Sequence, residues 1–123
     1  MIFNKTRKTV LASKVTACDT PWKRTLGLMF HAKLQKGEAF LFTFPRPRRV
    51  WIHMLFVFFP IDMVFLDDKG KIVHIVRSAR PFQLRIVPPV PISALIELPE
   101  NTIARTSTRA GDSLGIAAQP SGK

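Results

Sequence analysis

Ile61-Asp62-Met63-Val64-Phe65-Leu66-Asp67-Asp68-Lys69-Gly70-Lys71-Ile72-Val73-His74-Ile75-Val76-Arg77 is the stretch that decides the fold class. Its first six residues are apolar except for Asp62, and such β-branched and aromatic side chains suit a pleated, buried surface. Asp67-Asp68-Lys69-Gly70 interrupts them with turn formers, the glycine supplying backbone freedom for a reversal. Ile72-Val73 and Ile75-Val76 then resume the apolar pattern. The spacing predicts an antiparallel hairpin from Ile61 to Arg77.

Upstream, Val50 to Phe59 reads as another strand, separated from the hairpin by Pro60, which cannot donate into a central ladder. Ala39 to Phe44 reads as a buried strand between Gly37 and Pro45. Pro45-Arg46-Pro47-Arg48-Arg49 reads as an exposed, stiff loop, since two prolines oppose regular pairing. Thr9 to Ala17 alternates imperfectly as a first strand. Asp19-Thr20-Pro21 opens a short helix carrying Trp22, Leu26 and Met29 on one face. Downstream, Arg80 to Pro91 is an irregular, proline-rich connection and Ser93 to Leu98 a strand. Pro99 and Glu100 open a short helix through Ala104, and Gly111-Asp112 turns the chain into a last strand, Ser113 to Ala117. With no repeat and no linker, residues 1–118 form one domain, followed by a frayed tail at 119–123. The expected class is mainly β (α+β): a small, twisted, partly closed antiparallel β-barrel with one or two short helices, one of them over an opening.

The 123 residues are 46% hydrophobic and 22% charged, a globular balance. Nineteen Lys and Arg against eight Asp and Glu leave a net charge of +11, which attracts polyanions. The cations are scattered along the chain and form no basic tail. Cys18 is the only cysteine, so an intrachain disulfide, a thiolate zinc quartet and a Cys-x-x-Cys pair are excluded. Val15-Thr16-Ala17-Cys18 looks like a lipoprotein cleavage box, but Lys5, Arg7, Lys8 and Lys14 break the apolar run that export requires. Val50 to Leu66 falls short of the ~20 residues that cross a bilayer and contains His53, Pro60 and Asp62. It reads as core; membrane insertion is not expected, and a cytoplasmic location is.

Seven landmarks in order, Gly27-Leu28-Met29, the strand ending near Phe42, Trp51, Pro60-Ile61-Asp62, Asp68-Lys69-Gly70, Glu97-Leu98 and Gly111-Asp112, resemble the family known as domain of unknown function 192. The resemblance covers about residues 20–116. It implies a compact β-rich domain and carries no established reaction. Many relatives follow the tryptophan with a polar Met-Lys-Asn-Thr-like stretch, whereas this chain has Ile52-His53-Met54-Leu55.

Four polar residues, His53, Asp62, Glu97 and Asp112, make up a candidate polar pocket. Asp62 reads either as an acid or base with a raised pKa, or as a structural acceptor of backbone hydrogen bonds where the chain enters the strand after Pro60. His53 reads as a satisfied or edge-exposed histidine. His31, His53 and His74 lack metal-ligand spacing, glycine-rich phosphate loops are absent, and no serine sits in a nucleophile elbow. No cofactor or metal is expected. Arg46, Arg48, Arg49 and Trp51 form the best binding constellation, guanidinium groups for phosphates beside an aromatic face for a base. The leading expectation is a non-enzymatic module that recognises a polyanion such as nucleic acid. One alternative is an enzyme on a small acidic substrate, with Asp62, His53 and Glu97 converging in one pocket. The other is a structural or protein-interaction domain, its protein partner unknown.

Overall fold

The hairpin forms where the sequence places it. In the computed structural model, which describes residues 1–18, 34–48, 59–81 and 86–117, Ile61–Leu66 (β5) and Ile72–Ala79 (β6) pair antiparallel. Asp67 closes the turn, its Oδ1 accepting the amides of Lys69 and Lys71. Gly70 sits at φ +82°, where a Cβ would stand 2.9 Å from the Leu114 carbonyl oxygen. Only glycine meets both conditions without strain.

The remaining strands are Ile2–Asn4 (β1), Thr9–Ala12 (β2), Lys14–Cys18 (β3), Glu38–Arg48 (β4), Ile92–Pro99 (β7) and Leu114–Ile116 (β8). They build two sheets: β3-β4-β7-β5-β6, and β2-β1-β8. A helix of four residues, Thr102–Arg105 (α1), joins β7 to β8. Among the described residues the expected barrel does not close, because β3 and β6 are the two edges of the larger sheet and do not pair. That sheet is also mixed: β3 runs parallel to β4, and the other pairings are antiparallel. The single strand expected over residues 9–17 is two strands broken at Ser13, each in a different sheet.

β4 exceeds its expected length. Thr43 pairs with Ala94 and Arg48 with Ile92, so residues 44–47 face Ser93 alone. Pro45 and Pro47 fall inside this interruption, where a missing N–H leaves no rung of the ladder empty. The expected loop is thus a bulged extension of the strand, and Pro45, Arg46 and Pro47 are exposed as anticipated.

Alternation along β5 and β7 sorts the core into two layers, one on each face of the larger sheet. One layer gathers Phe40, Phe42, Met63, Phe65 and Leu95 with Cys18, Leu34, Phe59 and Ile86. The other gathers Val64, Leu66, Ile96, Leu98 and Ile103 with Ile2, Leu11 and Leu114 from the small sheet. Each fully buried Leu, Ile or Phe contributes about 2 kcal/mol to holding these layers together. The helix expected from Asp19, the strand from Val50 and the tail from Gln119 lie outside the described residues.

Candidate functional site

Asp62 is anchored to backbone. Register on β5 and β6 skips from the pair Ile61 and Ala79 to the pair Met63 and Val76, so Arg77 and Ser78 bulge opposite Asp62. Ser78 takes φ +52° there, and its amide donates to Asp62 Oδ1 at 2.9 Å. The second oxygen accepts the Ile103 amide of α1, also at 2.9 Å. α1 has no side-chain cap of its own, so a carboxylate from β5 does that work from a distance. Both oxygens are occupied, which is the structural role among the two readings of this residue.

Glu97 differs in its surroundings and its partners. Cross-strand pairing sets it between Phe40 on β4 and Met63 on β5, on the aromatic layer of the sheet. It is 7% exposed, and its Oε1 is buried without a hydrogen-bond partner. Burial pushes its carboxyl up to about 8, so at neutral pH it is mostly the uncharged acid. A cavity of about 250 Å³ opens beside Phe40, lined also by Lys14, Thr16, Leu34, Glu38 and Ala39.

Asp62 and Glu97 therefore do not share a pocket. Asp62 pairs in register with Leu98 and reaches Ile103, both members of the opposite layer. The pocket expected to join Asp62, Glu97 and Asp112 with His53 does not bring its two strand carboxylates together; His53 lies outside the described residues.

Asp112 organises a third place, at the end of the molecule where β1 turns into β2. Its Oδ2 accepts Asn4 Nδ2 at 3.0 Å, Arg7 Nε at 3.1 Å and the Arg109 amide at 3.0 Å. Asn4 also donates to Thr108, whose hydroxyl meets that of Thr106 at 2.7 Å. Burial alone would raise the Asp112 carboxyl, but the hydrogen bonds from Asn4, Arg7 and Arg109, together with the Arg7 charge, hold it below the ordinary carboxylate range. The turn at residues 5–8 is stitched to this loop again by Lys5 N–H to Ser113 O, by Ser113 N–H to Thr6 Oγ1 and by the Thr9 hydroxyl to Thr106 O. Exposed Lys5, Arg7 and Lys8 are thereby brought to exposed Arg105 and Arg109, about a hundred residues away in sequence. Sequence reading missed this cluster because neither segment alone is a basic run. The one available signal was Lys5-Thr6-Arg7-Lys8, three cations in four positions.

Of the expected arginine constellation, Arg46 is exposed on the β4 bulge. The backbone of Arg48 pairs with Ile92, while its side chain, Arg49 and Trp51 lie outside the described residues. Among the described residues no three His, Cys, Asp or Glu side chains group to hold a metal ion. None of the described helices is long and apolar enough to cross a membrane.

The model of the DUF192 family (Uncharacterized ACR, COG1430) matches residues 2–116, spanning both sheets and all three carboxylate environments. The chain belongs to this family. DUF192 relatives include a UPF0127 protein of Thermococcus sibiricus, 32% identical over 114 residues, covering 93% of this chain and 73% of that protein. A UPF0127 protein of Thermococcus kodakarensis is 29% identical over 91% of this chain and 70% of its own length. Among solved structures, a Sinorhizobium meliloti protein described as a "putative transcription regulator" superposes with a TM-score of 0.78 at 29% identity, over 82% of this chain and 79% of that one. A Novosphingobium aromaticivorans protein of unknown function reaches the same TM-score at 22% identity, over 83% and 74% of the two chains, and shares the fold.

Proposed function

We propose that this DUF192 member is a small, non-enzymatic module that binds a polyanion, with nucleic acid as the favoured class. The observation that carries this reading is the segregation of charge. Every described Lys and Arg side chain is exposed, whereas Asp62, Glu97 and Asp112, three of the eight acids, are buried. The surface is therefore more cationic than the composition implies, and Lys5, Lys8, Arg105 and Arg109 gather at one end of it. Arg46, with Arg48, Arg49 and Trp51, supplies a second contact in this reading. The description of the Sinorhizobium neighbour is compatible with nucleic acid as the ligand.

Phosphate neutralisation releases counterions, so affinity should fall steeply with salt. The test is fluorescence anisotropy with labelled single- and double-stranded DNA and RNA from low to physiological salt. Each cation that meets a phosphate contributes close to one unit to the logarithmic slope. A Lys5/Lys8/Arg109 triple alanine variant and an Arg46/Arg48/Arg49 triple alanine variant should each flatten that slope. Arg7 is left intact because it holds Asp112. Absence of binding at low salt would remove the proposal, and a slope unchanged in both variants would relocate the contact elsewhere on the surface.

A further inference from the structure

The Glu97 carboxyl has no use in the polyanion reading. A core acid is ordinarily tolerated because its oxygens are taken up by neighbouring donors, as both oxygens of Asp62 are. Glu97 Oε1 instead ends without a partner in the aromatic layer, on the same face as Phe42 and Leu95 and between Phe40 and Met63. The cavity beside Phe40 lies next to it in the sheet, since Phe40 both lines that space and is Glu97's cross-strand neighbour. An apolar enclosure with one open polar atom and adjoining space is how small-molecule sites are constructed.

We propose that Glu97, with Phe40, Phe42, Met63 and Leu95, forms a binding site for a small, uncharged, largely apolar molecule bearing an amide group, admitted through the cavity beside Phe40. The charge preference follows from the surroundings. A small cation must approach a chain of net charge +11. An anion would meet a cation at the cavity, where Lys14 lines the wall, but would leave it behind on reaching Glu97 Oε1, where the described lysines and arginines, all exposed, offer none. A carboxylic acid offers one O–H donor and one C=O acceptor, and an amide presents the complementary pair. With its carboxyl pushed up to about 8, Glu97 is available in that form at neutral pH.

Three probes of one shape separate the possibilities: benzamide, benzylammonium and benzoate. Each is titrated into the full chain while the methyl resonances of Met63, Leu95 and Ile61 are followed. Benzamide is expected to shift the Met63 and Leu95 methyls at millimolar concentration, with the two ions binding at least ~10-fold more weakly. Glu97→Met removes the hydrogen bond and keeps the bulk, so benzamide affinity should drop about 10-fold. Glu97→Gln retains a donor and an acceptor and should stay within about threefold of the wild type. No shift with benzamide, equal affinity in Glu97→Met, or tighter binding of benzylammonium would each overturn the proposal. None of these outcomes depends on the basic cluster, so this site and the polyanion surface stand or fall separately.

Discussion

Asp62 and Glu97 sit on adjacent, paired strands, are both buried, and face opposite layers of one sheet. Asp62 accepts two backbone amides at 2.9 Å and ties a bulge to a helix. Glu97 leaves an oxygen unmatched among aromatic side chains. Burial is thus no guide to role. The number of donors waiting for each oxygen is what divides a structural carboxylate from one still available for chemistry or a ligand.

The largest effect that could break this contrast is its pH dependence. Glu97 rises from 4.5 to about 8 on folding, so between those values the unfolded chain has released a proton that the folded chain keeps. Stability from this group is complete below about 4.5, declines by about 1.4 kcal/mol per pH unit, and is gone once pH passes 8. Over the whole window the loss is roughly 4–5 kcal/mol. Denaturant unfolding between pH 4.5 and 9 should show this fall in the wild type and lose most of it in Glu97→Met. The opposite slope would mean that Glu97 is ionised and paired.

Asp62→Ala comes next. It strands one buried and one part-buried amide, and a loss of about 3 kcal/mol is expected in urea unfolding at pH 7. Asp62→Asn keeps one acceptor and should lose about half as much. If Asp62→Ala were nearly neutral, the tether between β5, β6 and α1 would be of no energetic importance.

Glu97→Met at pH 7 should move the other way, raising stability by about 2 kcal/mol, because it replaces an unmatched buried acid with an apolar group of similar volume. A destabilised variant would show that the second oxygen makes a strong bond. The smallest effect belongs to Ser78→Gly. Relief of the left-handed φ at +52° is offset by the greater freedom of glycine when unfolded, leaving a change of about 0.5 kcal/mol or less in Tm-derived stability. Its gain should grow in an Asp62→Asn background, where the bulge has lost an anchor.

The hairpin was legible because near-continuous apolar runs and an Asp-Asp-Lys-Gly turn are local signals. Pro45 and Pro47 correctly flagged lost pairing, yet propensity could not say that Arg48 would rejoin the ladder opposite Ile92. The barrel expectation failed at the edges, since nothing local specifies that β3 pairs in parallel with β4 and that, among the described strands, it does not meet β6. The same limit applies to the sites. Asp62 and Glu97 were visible as polar residues in apolar company and Asp112 as part of a turn, but their faces depend on register and their partners on segments far away. Alternation along Asp62 to Leu66 and Ser93 to Leu98 held half of the answer. Knowing that Met63 stands beside Glu97 needed the pairing itself.

β1 lies in the middle of its sheet, with β2 on one side and β8, more than a hundred residues later, on the other. During synthesis at a ribosome, Ile2 to Asn4 must wait for Leu114 to Ile116 to emerge before that sheet exists. Asn4 then meets Asp112 and Thr108 in the same closing event. Acquisition of the native state consequently depends on pairing strands more than a hundred residues apart, a slow step for so small a fold that leaves its uncovered strands open meanwhile to misassociation.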